Sequence, residues 1–174
     1  MFLKDDEIVL RAIEMEDSQV LHKMINDPEM ESMIIGWSFP VSTEMQNEWI
    51  RNLDNKDCVR YAIDVGEGIE GVAIISSIDY KNRVAHFGIK LKRDARGKGI
   101  ATRAVRLMAQ YCFFELNLNC IEVNVLESNL ASRSLWEKVG FKPEGILRER
   151  IYKNGKYRNV IIYSLLKDEY ITEK

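Results

Sequence analysis

The chain has 174 residues, of which 46% are hydrophobic and 30% charged, and its formal net charge is −2. This length suits one folded domain with a substantial core, and the composition excludes a disordered chain. The small net charge gives no global electrostatic basis for binding nucleic acid or a membrane surface. No apolar run approaches the roughly 20 residues that span a bilayer, and the acidic N-terminus does not suit a signal peptide. We therefore expect a cytoplasmic protein with a single domain, residues 1–174.

Hydrophobic periodicity predicts one strand and two helices near the N-terminus. Apolar and polar residues alternate over residues 8–13, which indicates a half-buried strand. Apolar residues recur at helical spacing over residues 16–26, where Asp27-Pro28 is expected to end the helix. A second helix is predicted from Ser42 or Thr43 to residue 53. Three strands then follow at 59–65, 71–79 and 84–91, and their short connections favour antiparallel pairing.

The pattern changes after residue 91. Residues 100–116 predict a long amphipathic helix, residues 120–125 a compact apolar strand, and residues 130–139 a further helix that Gly140 ends. Asn154-Gly155 separates two strand-like runs and is a strong signal for a type I′ hairpin. This order predicts an α/β (α+β) fold. Its sheet is mixed and mostly antiparallel, with about four helices, one parallel crossover through the long helix and a C-terminal β-hairpin.

The segment Arg96-Gly97-Lys98-Gly99-Ile100-Ala101 lies between a strand and the start of the longest predicted helix. A helix N-terminus offers unpaired N–H groups and a positive dipole end, and glycine lets the backbone approach an anion closely. Arg96 and Lys98 add positive charge. A tight turn with solvated basic residues explains the local sequence equally well. The spacing matches neither a Rossmann fingerprint nor a P-loop.

Two motifs together resemble the GNAT acetyltransferase superfamily. Its Arg-x-x-Gly-x-Gly/Ala signature matches Arg96, Gly99 and Ala101. Its later pattern, an asparagine, then Ala/Ser, then a helix that ends in Glu-Lys-x-Gly-Phe, matches Asn129 and residues 131–134 and 137–141. The resemblance covers nearly the whole chain and points to the branch of ribosomal-protein N-terminal acetyltransferases and spermidine acetyltransferases.

This resemblance implies an acetyl-CoA-dependent N-acetyltransferase, and it implies no metal. The strand backbone at residues 89–91 should pair with the pantetheine arm, and the amides of residues 97–101 should hold the pyrophosphate. The strands at 84–91 and 120–125 should splay apart at a bulge, for which Gly88 is the expected point. The full set of implied cofactor-binding residues is Ile89, Lys90, Leu91, Arg96, Gly97, Lys98, Gly99, Ile100, Ala101, Thr102, Asn129, Ser132 and Trp136.

The catalytic residues are less closely defined by the resemblance. His86 is the leading candidate for the general base, because histidine titrates near neutral pH and many relatives carry a glutamate there. A partly exposed structural histidine is the alternative interpretation. Glu122 is the second candidate base. Trp136 stands where many members have a tyrosine that protonates the thiolate, so we expect Trp136 to pack under the cofactor. Ser134, water or an unassisted thiolate then completes the reaction.

The acceptor is expected to be a small-molecule or peptide amine: a polyamine, an amino sugar, an amino acid or a protein N-terminus. Asp27, Glu29 and Glu31 form an acidic cluster that could attract a cationic amine, or else a solvated loop. Trp37 and Phe39 could line the acceptor pocket or fill the core. Alternatives to an enzyme are an acyl-CoA-binding sensor or regulatory module with weak catalysis, and an interaction domain without a cofactor. Homodimers are common in the superfamily, and the residues themselves leave the oligomeric state open.

Overall fold

The computed structural model describes residues 3–36, 39–54, 56 and 58–172. It contains two single-turn 3₁₀ helices, at Met15–Asp17 and Arg93–Ala95. The six helices are α1 (Ser18–Ile25), α2 (Pro28–Met33), α3 (Thr43–Arg51), α4 (Ile100–Phe114), α5 (Leu130–Val139) and α6 (Lys167–Thr172). The eight strands are β1 (Leu3–Lys4), β2 (Val9–Arg11), β3 (Cys58–Asp64), β4 (Ile69–Asp79), β5 (Val84–Leu91), β6 (Cys120–Leu126), β7 (Lys142–Lys153) and β8 (Lys156–Leu166).

All eight strands form one sheet in the order β1-β2-β3-β4-β5-β6-β8-β7. Neighbouring strands are antiparallel except β5 and β6, which run parallel and are joined through α4. Parallel neighbours need a crossover connection, and the amphipathic α4 supplies it. The predicted mixed, mostly antiparallel sheet with one helical crossover is therefore confirmed.

The two faces of the sheet carry separate cores. Phe87 and Ile121 face α4 and pack with its buried Met108. Val72 faces the other way and packs with Leu21 of α1 and with Ile50 of α3. Because side chains alternate along a strand, residues 86, 88 and 90 of β5 lie on the α1/α3 face of the sheet.

The structure has two more helices than the four predicted. Asp27-Pro28 does not merely end α1, which already stops at Ile25, but also begins α2. Asp27 is the N-cap of α2 and accepts a hydrogen bond from the Glu29 backbone N–H at 2.9 Å. Pro28 occupies the first helical position, where its fixed φ and missing N–H are harmless. The other addition, α6, follows β8 directly. No helix in the described ranges is long and apolar enough to cross a membrane.

The predicted C-terminal hairpin is confirmed. Asn154 and Gly155 adopt φ values of 52° and 74°, as a type I′ turn requires, and Lys153 pairs with Lys156 across the turn. β7 lies at the edge of the sheet, is exposed along most of its length, and is irregular between Leu147 and Ile151. The hairpin thus extends the sheet beyond β6 and brings Lys153 back towards α2.

Candidate functional site

The two parallel strands form a fork. β5 and β6 are paired only at Val84–Cys120, Ala85–Ile121 and His86–Glu122. Beyond that rung β5 remains paired to β4 as far as Leu91, and β6 remains paired to β8 as far as residue 126. The facing edges of the two strands are therefore unpaired with each other, and the predicted splay is confirmed.

The expected bulge at Gly88 is wrong. The register between β4 and β5 is continuous through the Ile74–Gly88 pair. The irregularity lies instead between Ser76 and Asp79 of β4, where Ser77 adopts a positive φ of 51°. No extra residue is needed in β5 to open the fork, because β4 and β8 each hold one of the two strands along its outer edge and twisted strands diverge.

The backbone of β5 directs alternate residues into this fork. The Lys92 N–H donates to the Glu70 carbonyl on the β4 side at 2.8 Å. Backbone direction alternates along a strand, so Lys90 also directs its amide and carbonyl to β4, whereas Ile89 and Leu91 direct theirs into the fork. Ile89 and Leu91 therefore present the edge groups that an extended ligand chain could pair with.

The glycine turn before α4 fits a bound anion. Gly97 and Gly99 have φ values of 76° and 80°, and a Cβ added at either would meet no protein atom within 4 Å. Gly99 is the N-cap and supplies no side-chain cap, so the first-turn N–H groups of α4, from Ile100 to Thr102, lack intrahelical partners. The open space beside these amides and the positive end of the helix suit a phosphate group.

A cavity of about 540 Å³ joins the fork to this turn. It is lined by both strands, the starts of α4 and α5, and the end of α2. Most of the predicted site residues line it: Ile89, Lys90, Leu91, Arg96, Gly97, Gly99, Ile100, Ala101, Thr102, Asn129, Ser132, Ser134 and Trp136. Lys98, His86 and Glu122 are not among its lining residues.

The helix α2 closes one side of the cavity, which the sequence did not indicate. Met30, Met33 and the following Ile34 and Ile35 line it. The N-cap and proline at residues 27–28 were a usable signal for this helix, but its position over the cofactor region depends on tertiary contacts.

Ion pairs fasten α2 to the glycine turn. The Arg96 guanidinium donates to the Glu29 carboxylate and contacts the Met33 sulfur at 3.9 Å. Arg93 approaches the Glu29 carboxylate at 2.5 Å and that of Asp27 at 3.5 Å. Arg96 therefore lines the cavity while it is held by a carboxylate of α2.

A buried lysine holds the same helix from the hairpin side. Lys153 is only 5% exposed, and its Nζ donates to both the carboxylate and the backbone carbonyl of Glu31 at 2.5 Å. Since Asp27 and Glu29 are also paired, the expected acidic cluster is not a set of free carboxylates. The interpretation of these acids as a cation-attracting patch is corrected accordingly.

Asn129 and Trp136 have structural partners inside the chain. The Asn129 side chain accepts from the Ser132 N–H and donates to the Met33 carbonyl, both at 3.0 Å. Trp136 is 1% exposed, donates from Nε1 to the Ser132 Oγ at 3.1 Å, and packs edge-on against Phe141. Trp136 is thus buried within the chain, its packing under the cofactor stays a prediction, and Asn129 links the start of α5 to the end of α2.

The two candidate bases contact each other. His86 Nε2 lies 3.0 Å from Glu122 Oε2, and each side chain is about one-third exposed. Both sit on the last paired rung, at the apex of the fork and on the α1/α3 face. Of the aromatic acceptor candidates, Trp37 lies outside the described residues, and Phe39 is 69% exposed and is not among the cavity-lining residues.

Comparisons with known proteins agree with this architecture. Residues 7–142 match the model of the acetyltransferase (GNAT) domain. The chain is 34% identical over 173 residues to the uncharacterised N-acetyltransferase p20 of Bacillus licheniformis, covering 97% of both chains. It is 29% identical over 177 residues to YdaF of Bacillus subtilis (strain 168), provisionally named a ribosomal N-acetyltransferase, covering 98% of this chain and 97% of the other.

A solved structure gives the same result. The spermidine N-acetyltransferase of Vibrio cholerae in complex with CoA and spermine superposes with a TM-score of 0.87 at 26% identity, covering 96% of this chain and 99% of that one. The predicted superfamily, enzyme class and acetyl donor are thereby confirmed. The chain belongs to the GNAT acetyltransferase family and uses acetyl-CoA as its acetyl donor.

Proposed function

We propose that residues 1–174 act as one domain that transfers the acetyl group of acetyl-CoA to a primary amine by direct attack on the thioester. The observation that carries this proposal is the fork, which opens beyond His86 and Glu122 and leads to an uncapped glycine turn. The relatives named as N-acetyltransferases support a nitrogen acceptor. The acceptor is a polyamine, an amino sugar, an amino acid or a protein N-terminus.

The residues that hold the donor are those of the fork and the turn. Ile89 and Leu91 offer backbone N–H and C=O groups for the pantetheine amides, as an added strand would use them. The amides from Gly97 to Thr102 and the start of the α4 dipole suit the pyrophosphate. A backbone N–H near Leu91 that is not paired with a pantetheine amide would stabilise the oxyanion that develops on the thioester carbonyl.

His86 is the proposed base. Its Nε2 faces the Glu122 carboxylate, so the tautomer with a proton on Nε2 donates to Glu122 and leaves Nδ1 free to accept a proton. Glu122 then orients the ring and stabilises the imidazolium that forms when the amine loses its proton. Proton transfer by a positioned side chain of this kind contributes about 10² to 10⁴ in rate.

Ser134 is the proposed proton donor to the departing thiolate, because it lines the cavity with Trp136 and the indole N–H is already donated to Ser132. A thiol that titrates at about 8.5 is a tolerable leaving group, so water can serve in place of Ser134. The proposed reaction therefore does not require a specific side chain to protonate the thiolate.

The experiment combines binding and turnover. Acetyl-CoA at about 100 times its Kd should raise the unfolding free energy by about 2.7 kcal/mol, which a thermal shift detects. Thiol release is then measured across polyamines, amino sugars, amino acids and peptides. Stabilisation with release for one amine supports the transferase. Stabilisation without release from any amine favours a sensor module, and no stabilisation at millimolar acetyl-CoA removes the proposal.

A further inference from the structure

Lys90 and Arg60 are two half-buried basic side chains on neighbouring parts of the sheet. Three basic residues near the glycine turn are paired: Lys92 with Glu70 at 2.8 Å, and Arg93 and Arg96 with Glu29. Within the part of the chain that the structure describes, neither Lys90 of β5 nor Arg60 of β3 forms such an ion pair. Lys90 lines the cavity, and Arg60 is half-buried, with its guanidinium carbon 5.7 Å from the centroid of the Trp49 ring.

Sheet register places both groups on the same face. Arg60 pairs with Ile74, and Ile74 pairs with Gly88. Lys90 lies two residues after Gly88 in β5, opposite Val72. Val72 packs with α1 and α3, so the Arg60 and Lys90 side chains also point to the α1/α3 face. Because Gly88 has no side chain, it leaves the space between these two cations and the fork open.

An unpaired cation in this position is unfavourable unless it serves a ligand. Burial lowers the pKa of the Lys90 ammonium, and the nearby positive charge of Arg60 lowers it further. A half-buried charge without a counter-ion costs free energy, and an anionic group that enters the cavity would recover that cost. Arg60 and Lys90 together suit a carboxylate, which Arg can bind with two hydrogen bonds.

Lys90 and Arg60 lie on the face of the sheet opposite α4, whose N-terminus is the proposed anion site for the donor. The anion site at the α4 N-terminus lies at the end of the cavity formed by the glycine turn, and α4 packs on the opposite face of the sheet. His86, the proposed base, shares the α1/α3 face with Lys90 and lies four residues before it in β5. An acceptor whose amine lies near His86 could therefore reach Lys90 with a negative group on the same face of the sheet.

We propose that Lys90 and Arg60 select an acceptor that carries a carboxylate as well as its primary amine, such as an acidic amino acid or a peptide with an acidic N-terminal region. This inference rests on the proposed function, because it names the substrate class of that site. It disfavours polyamines, since Asp27, Glu29 and Glu31 are all engaged by basic side chains. The selection differs from that of the spermidine-acetylating relative, to which the chain is only 26% identical.

Matched pairs of amines test the selectivity. Thiol release is measured with glutamate against glutaminamide, with an acidic tetrapeptide against its Asn/Gln counterpart, and with spermidine. A preference of at least about 10-fold in kcat/KM for the anionic member of either pair is expected from one charge-assisted contact. Glutamate and the tetrapeptide distinguish a free amino acid from a chain terminus. Equal rates within both pairs, or faster turnover of spermidine, overturn the inference while leaving the transferase intact.

Variants at Lys90 and Arg60 test whether these residues determine the selectivity. Lys90→Met and Arg60→Gln should each raise KM for the anionic amine by about 10-fold, and Lys90→Glu should shift the preference towards spermidine. Arg51→Gln is the matched control, because it removes a positive charge from an exposed ion pair with Glu44 on α3. The thermal shift with acetyl-CoA should be unchanged in Arg60→Gln and in Arg51→Gln, whose residues do not line the cavity. An unchanged KM for the anionic amine in both Lys90→Met and Arg60→Gln would contradict the assignment of the selectivity to these two residues.

A binding measurement gives the answer even if no tested amine turns over. The CoA-saturated protein is titrated calorimetrically with glutamate, with the acidic tetrapeptide and with spermidine. Binding of an anionic amine that Lys90→Met weakens about 10-fold supports the inference. Binding of spermidine alone, or of none of the three ligands, overturns it. If an anionic amine binds in this way but is not acetylated, the result counts against the proposed transfer reaction and not against the anion site.

Discussion

His86 Nε2 lies 3.0 Å from Glu122 Oε2, across the last rung on which β5 and β6 are still paired. The contact sits where the two strands begin to separate. A histidine and a carboxylate that are fixed by sheet register need little reorganisation to act together. Both residues were individual candidates for the base, and their contact favours a shared role in which the histidine accepts the proton and the carboxylate orients the ring.

Replacement of His86 tests that role. His86→Gln should lower kcat by about 10² to 10⁴, and Glu122→Gln should have a smaller effect of about 10-fold, because it removes orientation and not the base itself. Steady-state kinetics measure both, and the thermal shift with acetyl-CoA should not change. His22→Gln is the control: it alters the other histidine of the chain, whose Nε2 contacts the Val41 carbonyl at 2.8 Å. A His86→Gln enzyme with normal kcat would assign the histidine to structure alone.

Glycine replacement tests the anion turn. Gly97→Ala or Gly99→Ala places a side chain at φ 76° or 80°, which costs about 1–2 kcal/mol, and the added methyl projects into the space beside the free amides. We expect each variant to lose most of the stabilisation that acetyl-CoA provides, measured by thermal shift over a ligand titration. Gly145→Ala is the control, because its added Cβ also meets no atom but its φ lies outside the strained positive region. Full ligand stabilisation in both turn variants would contradict a phosphate site there.

The order of strands and helices was largely predictable, because it depends on local periodicity. Alternation and helical spacing place β2 to β6 and α3 to α5 close to their observed positions, and Asn154-Gly155 specifies its own turn through φ. The motif at Arg96, Gly99 and Ala101 likewise located the glycine turn that we propose as the anion site, because a helix N-terminus is formed from consecutive residues.

The contacts of α2 could not be predicted, because they join residues far apart in the sequence. Arg96 meets Glu29 across 67 positions, and Lys153 meets Glu31 across 122. Nothing in the local pattern distinguishes these acids from a solvated loop. The bulge at Gly88 was wrong for a related reason: strand separation is decided by the outer neighbours β4 and β8 and not by the glycine itself.

The Lys153–Glu31 pair is expected to contribute to stability. Glu31→Gln leaves a buried ammonium without its carboxylate and should lower the unfolding free energy by about 3 kcal/mol. Lys153→Met removes the buried charge itself and should cost less, about 1 kcal/mol, since the Glu31 carboxylate is partly exposed. Chemical denaturation measures both. Lys142→Met, in the exposed pair with Glu169, is the control and should change stability by no more than about 0.5 kcal/mol. A larger loss in Lys153→Met than in Glu31→Gln would contradict this account.

Stability at acid pH should depend on Asp64. Its carboxylate accepts from Arg11 Nε at 2.7 Å and from the Gly66 N–H at 2.8 Å, and the Arg11 hydrogen bond lowers the pKa of Asp64 below its ordinary value of 3.8. The unfolded chain then binds this proton more tightly than the folded one, so the contribution is present above about pH 4 and is lost as the pH falls below it. Asp64→Asn should therefore be less stable than the wild type near neutral pH, and the gap in unfolding free energy should close in acid. Urea denaturation at about pH 3, 5 and 7 measures this gap. Asp6→Asn, which changes an exposed acid between β1 and β2, is the control for the loss of one negative charge. If the difference in unfolding free energy between Asp64→Asn and the wild type did not change with pH, the ion pair with Arg11 would not be maintained in solution.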